Sequence, residues 1–93
     1  MAKISDSFIT SRDIVCLGEI KIEFVRLDPS GSGVGSGDHF ASNLQNPKAA
    51  YAHVNNNLAL QGSAEVDSTL ESGRGVKLYG VGVNAASVVI IGY

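Results

Sequence analysis

Cysteine occurs once, at Cys16, so no disulfide can close within the chain and only an intermolecular one is open to it. Set between apolar neighbours in DIVCLG, this thiol is expected to be a small buried hydrophobe rather than a reactive group. Charge is scarce as well: 17% of the 93 residues are charged, against roughly 25% in ordinary globular chains. The seven basic residues are dispersed and the net charge is −2, so no cationic patch exists to displace counterions from phosphates, and nucleic acid is not an expected partner. Long apolar runs are missing too. AASVVII falls far short of the roughly 20 residues a spanning helix needs, and MAKISDSFITS has no apolar stretch behind its lysine of the kind a secretory signal carries. The expectation is a protein made and kept soluble in the cytoplasm, with no membrane partner.

What is abundant is glycine, with 11 residues, alongside 44% hydrophobic residues. In DPSGSGVGSGDH, residues 28–39, four glycines stand at alternate positions. A phosphate-cradling loop would need a helix start behind such glycines and a Lys-Ser or Lys-Thr pair. Here Asp38 and His39 follow instead, and an aspartate repels phosphate. Gly/Ser composition predicts a connection over 29–38, a linker or long hairpin loop.

Strand signals frame that loop. GEIKIEFVRLD, residues 18–28, alternates Ile20, Ile22 and Phe24 with Glu19, Lys21 and Glu23, the period of two of a half-buried strand with its isoleucines and Phe24 inward. Val25 and Leu27 then fall on the opposite parity, which predicts either a bulge near Phe24 or cover on the other face of the far end. DIVCLG reads as a strand just upstream, and Ser11–Asp13 as a turn with a charge pair. GVKLYGVGVNAASVVIIGY reads as two strands, about 76–83 and 86–92, with bends or close approaches at Gly80 and Gly82. The run Val88–Ile91 has no polar face, so it is expected to be covered on both sides, as a core strand of the monomer or with another subunit as second cover.

The middle admits two readings. Asn46 and Pro47 suit the cap and first position of a short helix over 46–56, whereas Ala49, Tyr51 and His53 alternate as a strand that NNN would turn into LALQG. AEVDSTLE reads as a further strand. The expected class is therefore all-β: one small antiparallel sandwich or barrel-like domain over 1–93, with an N-terminal arm at 1–13, a Gly-rich loop and at most one short helix.

No catalytic constellation emerges. His39 and His53 are the only histidines, too few for a zinc site without the distant Cys16. No G-x-S-x-G frame singles out a serine, and Asp67 and Glu71 lie in a polar stretch. No metal, cofactor or catalytic residue is expected. A chain this small leaves only a few kcal/mol of net stability, so self-association is the expected supplement. Val88, Val89, Ile90, Ile91 and Tyr93 are the candidates for subunit packing. Phe8 and Ile9, apolar in a polar N-terminal segment, are candidates either for anchoring an arm on a partner or for the chain's own core.

The opening MAKISDSFITSRDIVCLGEIKIEFVRLDPSGSG and the close GVKLYGVGVNAASVVIIGY together resemble small virion structural proteins of tailed bacteriophages, including the decoration or cement proteins of the head. That resemblance implies a β-rich homo-oligomer, often a trimer, that binds the outer lattice of the major capsid protein and resides in the virion. It does not separate a head protein from a tail, neck or fibre component. A different class of function, a small β-barrel binding a ligand or sugar, would place the glycine loop and His39 at its mouth, with Tyr51 and Tyr79 lining the site.

Overall fold

Two apolar runs separated by Gly18 and Glu19 form the first unit of the fold. The computed structural model describes residues 2–55 and 62–93. In it β1 (Ile9–Leu17) and β2 (Ile20–Leu27) pair antiparallel from Leu17 opposite Ile20 to Ile9 opposite Leu27, with a bulge at Thr10. Gly18 takes φ +64° at the first position of the two-residue turn, a conformation cheap for glycine and suited to a tight hairpin. Residues 11–13 are thus strand and not turn, and residues 9–13 of the expected arm belong to the hairpin. The Arg12 charge that reads as a turn signal has a partner across the ladder, in Glu23.

The remaining strands are β3 (His39–Ala41), β4 (Pro47–Val54), β5 (Ser63–Asp67), β6 (Gly75–Tyr79) and β7 (Ala86–Gly92). They assemble two antiparallel sheets, one ordered β1-β2-β7-β4 and the other β3-β6-β5. The all-β class is the one the chain adopts, as two open sheets rather than a closed barrel. Residues 47–54 are strand, so no helix occupies the described part of 46–56; Asn46 instead exchanges backbone bonds with Tyr93, its N–H donating at 2.7 Å and its carbonyl accepting at 3.1 Å. The proposed turn through NNN into LALQG falls largely outside the described residues. β6 and β7, adjacent in sequence, lie in different sheets because the chain crosses between them through Gly80 and Gly82, both at positive φ.

The core lies between the sheets. Val25, Leu27, Ala50, Val54, Val88 and Ile90 face Phe40, Val76 and Leu78, while Val34, Leu44 and Val81 come from connections and Ile4 from the expected N-terminal arm. At roughly 25 cal/mol per Å² of apolar area, each of the larger side chains stabilises the fold by about 2 kcal/mol before entropy is counted. The glycine loop joins the sheets as an ordered connection: Val34 is buried and its N–H donates to the Gly82 carbonyl at 2.8 Å. Gly33 has φ +76° and sits so close to Gly82 that any Cβ would overlap its carbonyl.

β2 corrects the expected phase. Glu23, Val25 and Leu27 point inward, and Ile20 and Phe24 point out. No bulge interrupts β2; the inward face simply begins with a carboxylate. Glu23 is fully buried and fully partnered: Arg12 approaches Oε2 at 2.9 Å through Nη2 and at 3.0 Å through Nε. The Ser42 hydroxyl and the Asn43 N–H donate to Oε1 at 2.7 and 3.0 Å. A buried charge is tolerable only with such compensation. Arg12 also donates to the Ala41 carbonyl at 2.7 Å and lies over the Phe40 ring, which ties the first sheet to the second.

Candidate functional site

Because strand side chains alternate, the inward turn of Glu23, Val25 and Leu27 sends the other parity of β2 outward, and its neighbours follow in register. Across the outer face of the four-stranded sheet, Val15, Ile22, Ile91 and Ala49 form one row, and Asp13, Phe24, Val89 and Tyr51 the next. Leu17 and Ile20 extend it at the turn end, and Ser11, Arg26, Ser87 and His53 close it at the other. Large side chains stay open to solvent here: Leu17 and Tyr51 are each 60% exposed, Ile20 52% and Phe24 44%. An open depression of about 240 Å³ around Phe24 and Val89 is rimmed by Ser11, Asp13, Arg26 and Ser87.

The rim carries the only formal charges of these rows, Asp13 and Arg26. Arg26 is held by Asp28, with Nη2 3.3 Å from Oδ1. A hydrogen bond from the Thr10 hydroxyl, followed by that guanidinium, keeps the Asp28 carboxyl below the ordinary range. The patch thus has an apolar centre and a polar border.

The proposed interface residues divide between this face and the interior. Val88 and Ile90 have no exposed surface: they fill the monomer's own core, so they are unavailable to a partner. Val89 and Ile91 belong to the outer face and are half-buried, and Tyr93 is exposed with the Lys48 ammonium 5.4 Å from its ring centre. Phe8 and Ile9 are half-buried and pack against the core. Cys16 is exposed and not buried, because the hairpin tip carries it past the cover of the second sheet.

The two histidines stand apart. His39 begins β3, its Nδ1 2.7 Å from Glu71 Oε2, with Lys3 Nζ 3.9 Å from the other oxygen. His53 lies on the outer face of the opposite sheet, across from Ser87. Tyr51 shares that face, whereas Tyr79 lies on β6 and donates to Glu65 at 2.6 Å. His39, Tyr51 and Tyr79 therefore converge on no common site. Among the described residues, no group of three His, Cys, Asp or Glu side chains is placed to hold a metal ion.

Beside the glycine loop, burial works to raise the Asp38 carboxyl, but N–H donation from Ala2 and Gly35 outweighs it and holds the group below its usual range. The Gly35 bond closes the loop on itself, and the Ala2 bond ties the N-terminal segment to it.

From the sequence alone Ile20 and Phe24 are placed inside, Leu17 is left unassigned and Tyr51 is offered only as the lining of a ligand site, so all four are missed as parts of one outer face. The signal was present: β1 and β2 carry apolar residues on both parities, more than one core face can absorb. No family model, curated protein or solved structure matches the chain.

Proposed function

We propose that the protein is a non-enzymatic structural module that self-associates and docks on a larger protein assembly through the outer face of its four-stranded sheet. One observation carries the reading: a contiguous apolar face centred on Phe24 and Val89 is uncovered in the single chain. Strands about 4.8 Å apart and about 20 Å long give the whole face a few hundred Å², within the range of the largest exposed patch of a typical monomer, which is often functional. The resemblance of the two chain ends to phage virion proteins supplies the setting: a decoration or cement protein of the capsid, with tail, neck and fibre roles as alternatives. Many weak contacts repeated by symmetry would then give high avidity without a strong single site.

Light scattering of the purified protein over a concentration series tests it. The expected result is a species larger than the monomer whose mass falls on Phe24→Asp while the β-sheet circular dichroism is kept. A folded monomer at every concentration overturns the self-association.

A further inference from the structure

The two edges of the four-stranded sheet are built differently. β4, at one edge, carries Pro47, a register shift beside Lys48, and His53, all features that discourage another strand from adding. β1, at the other edge, has its bulge and its charges in the first half only; residues 14–17 read Ile-Val-Cys-Leu with no proline, lysine or bulge. Apart from the ladder to β2, no described hydrogen bond reaches the backbone of residues 11–17. Ile14, Val15 and Leu17 are 43%, 45% and 60% exposed, so the second half of β1 is apolar on both faces.

We propose that this edge pairs with β1 of a second copy, antiparallel about a two-fold axis at Val15, joining two four-stranded sheets into one of eight. The inference rests on the self-association reading above and adds its geometry. The two-residue turn makes Leu17 and Ile20 a hydrogen-bonded pair, so odd residues of β1 bond to β2 and the N–H and C=O of Arg12, Ile14 and Cys16 point to the free edge. Even residues must therefore meet even residues across the new junction. A two-fold at Asp13 sets two aspartates opposite each other, and one at Cys16 sets Asp13 opposite Glu19. Like charges directly opposed are destabilising. A two-fold at Ile14 opposes no like charges but sets Asp13 against the partner's Val15 and Arg12 against the partner's Cys16. A two-fold at Val15 pairs Ile14 with the partner's Cys16 and Val15 with the partner's Val15, apolar against apolar at the three central positions, with Asp13 against the partner's Leu17 only at the ends. The second copy is the fitting occupant because antiparallel edge pairing is self-complementary. It also makes the two outer faces continuous.

Two variants test the edge separately from the face. Val15 would form a non-hydrogen-bonded pair with Cα atoms about 4.5 Å apart, within disulfide reach. Val15→Cys in a Cys16→Ser background should therefore give a covalent dimer under mild oxidation, and Asp13→Cys in the same background should not. Ile14→Lys, on the sheet face opposite to Phe24, should weaken the dimer about 100-fold in sedimentation while keeping the circular dichroism. A dimer that survives Ile14→Lys but is lost on Phe24→Asp overturns edge pairing and leaves the docking face standing. A trimer with no dimer, or crosslinking through position 13 in place of 15, also overturns it. A monomer under all conditions removes both readings.

Discussion

The outer faces of the two sheets are built on the same strand alternation and end with opposite chemistry. On the three-stranded sheet, Glu65 stands opposite Lys77 and Ser63 opposite Tyr79, and Lys77 Nζ lies 2.9 Å from Asp67 Oδ2. The corresponding positions of the four-stranded sheet hold Ile22, Phe24, Val89 and Ile91. One face carries its own network of partners in water; the other has apolar area left over. Under the docking reading proposed above, the contrast assigns the contact surface to one side of the sandwich.

What fixes that orientation is internal, and this gives the largest expected effect. Glu23→Ala leaves Arg12 without its buried partner and should destabilise the fold by about 3 kcal/mol or more. At about 4 to 8 °C per kcal/mol for a domain of this size, the melting temperature should fall by more than about 10 °C. Replacing both members, Arg12→Met with Glu23→Leu, should recover most of that stability while keeping Phe24 outward; a double variant as unstable as Glu23→Ala would show that the Ser42 and Asn43 bonds dominate.

Phe24→Asp breaks the contrast from outside. It should change unfolding free energy by less than about 1 kcal/mol, as surface substitutions do, yet remove from light scattering every species larger than the edge-paired dimer. The reverse exchange sharpens it: Lys77→Leu on the opposite face should cost some stability through loss of the Asp67 and Glu65 contacts and leave the oligomeric state unchanged.

The smallest effect is in acid. A hydrogen bond from the Thr69 hydroxyl, then Lys77 and the Thr69 N–H, hold the Asp67 carboxyl at about 2 against an ordinary 3.8. With a lowered folded value, its stabilising effect is complete above pH 3.8 and is lost as the pH falls toward about 2. Melting temperatures of Asp67→Asn and the parent protein should differ above pH 4 and converge near pH 2.

Much of this fold can be read from residue order. The period of two in β2 and the β-branched run of β7 mark strands directly, whereas the strand expected over about 76–83 ends at Tyr79, and the bends at Gly80 and Gly82 turn out to carry the chain from one sheet to the other. Two features are not legible. Which parity of β2 faces inward depends on Glu23 finding Arg12, Ser42 and Asn43, partners 11 to 20 positions away, and local hydrophobicity pointed the other way. The apolar outer face follows from the same pairing, since Ile20 and Phe24 look like core residues until Glu23 takes the inner position. Val88 to Ile91 failed to separate for a different reason: four β-branched residues carry no label for inside and outside, and only the register against β2 and β4 sorts them.

The position of β7 has a consequence for the order in which the molecule can form. It lies between β2 and β4, with Gly92 opposite Lys21 and Pro47, so the centre of the larger sheet is supplied by a segment translated after all the other strands. A hairpin such as β1–β2 can close within microseconds, but during synthesis it waits for most of the chain with its β7-facing edge open as well as its free one. Pairings so distant in sequence put folding in the millisecond-to-second range typical of β topologies. The nascent hairpin is therefore the part of the chain most in need of protection from its neighbours on a polysome.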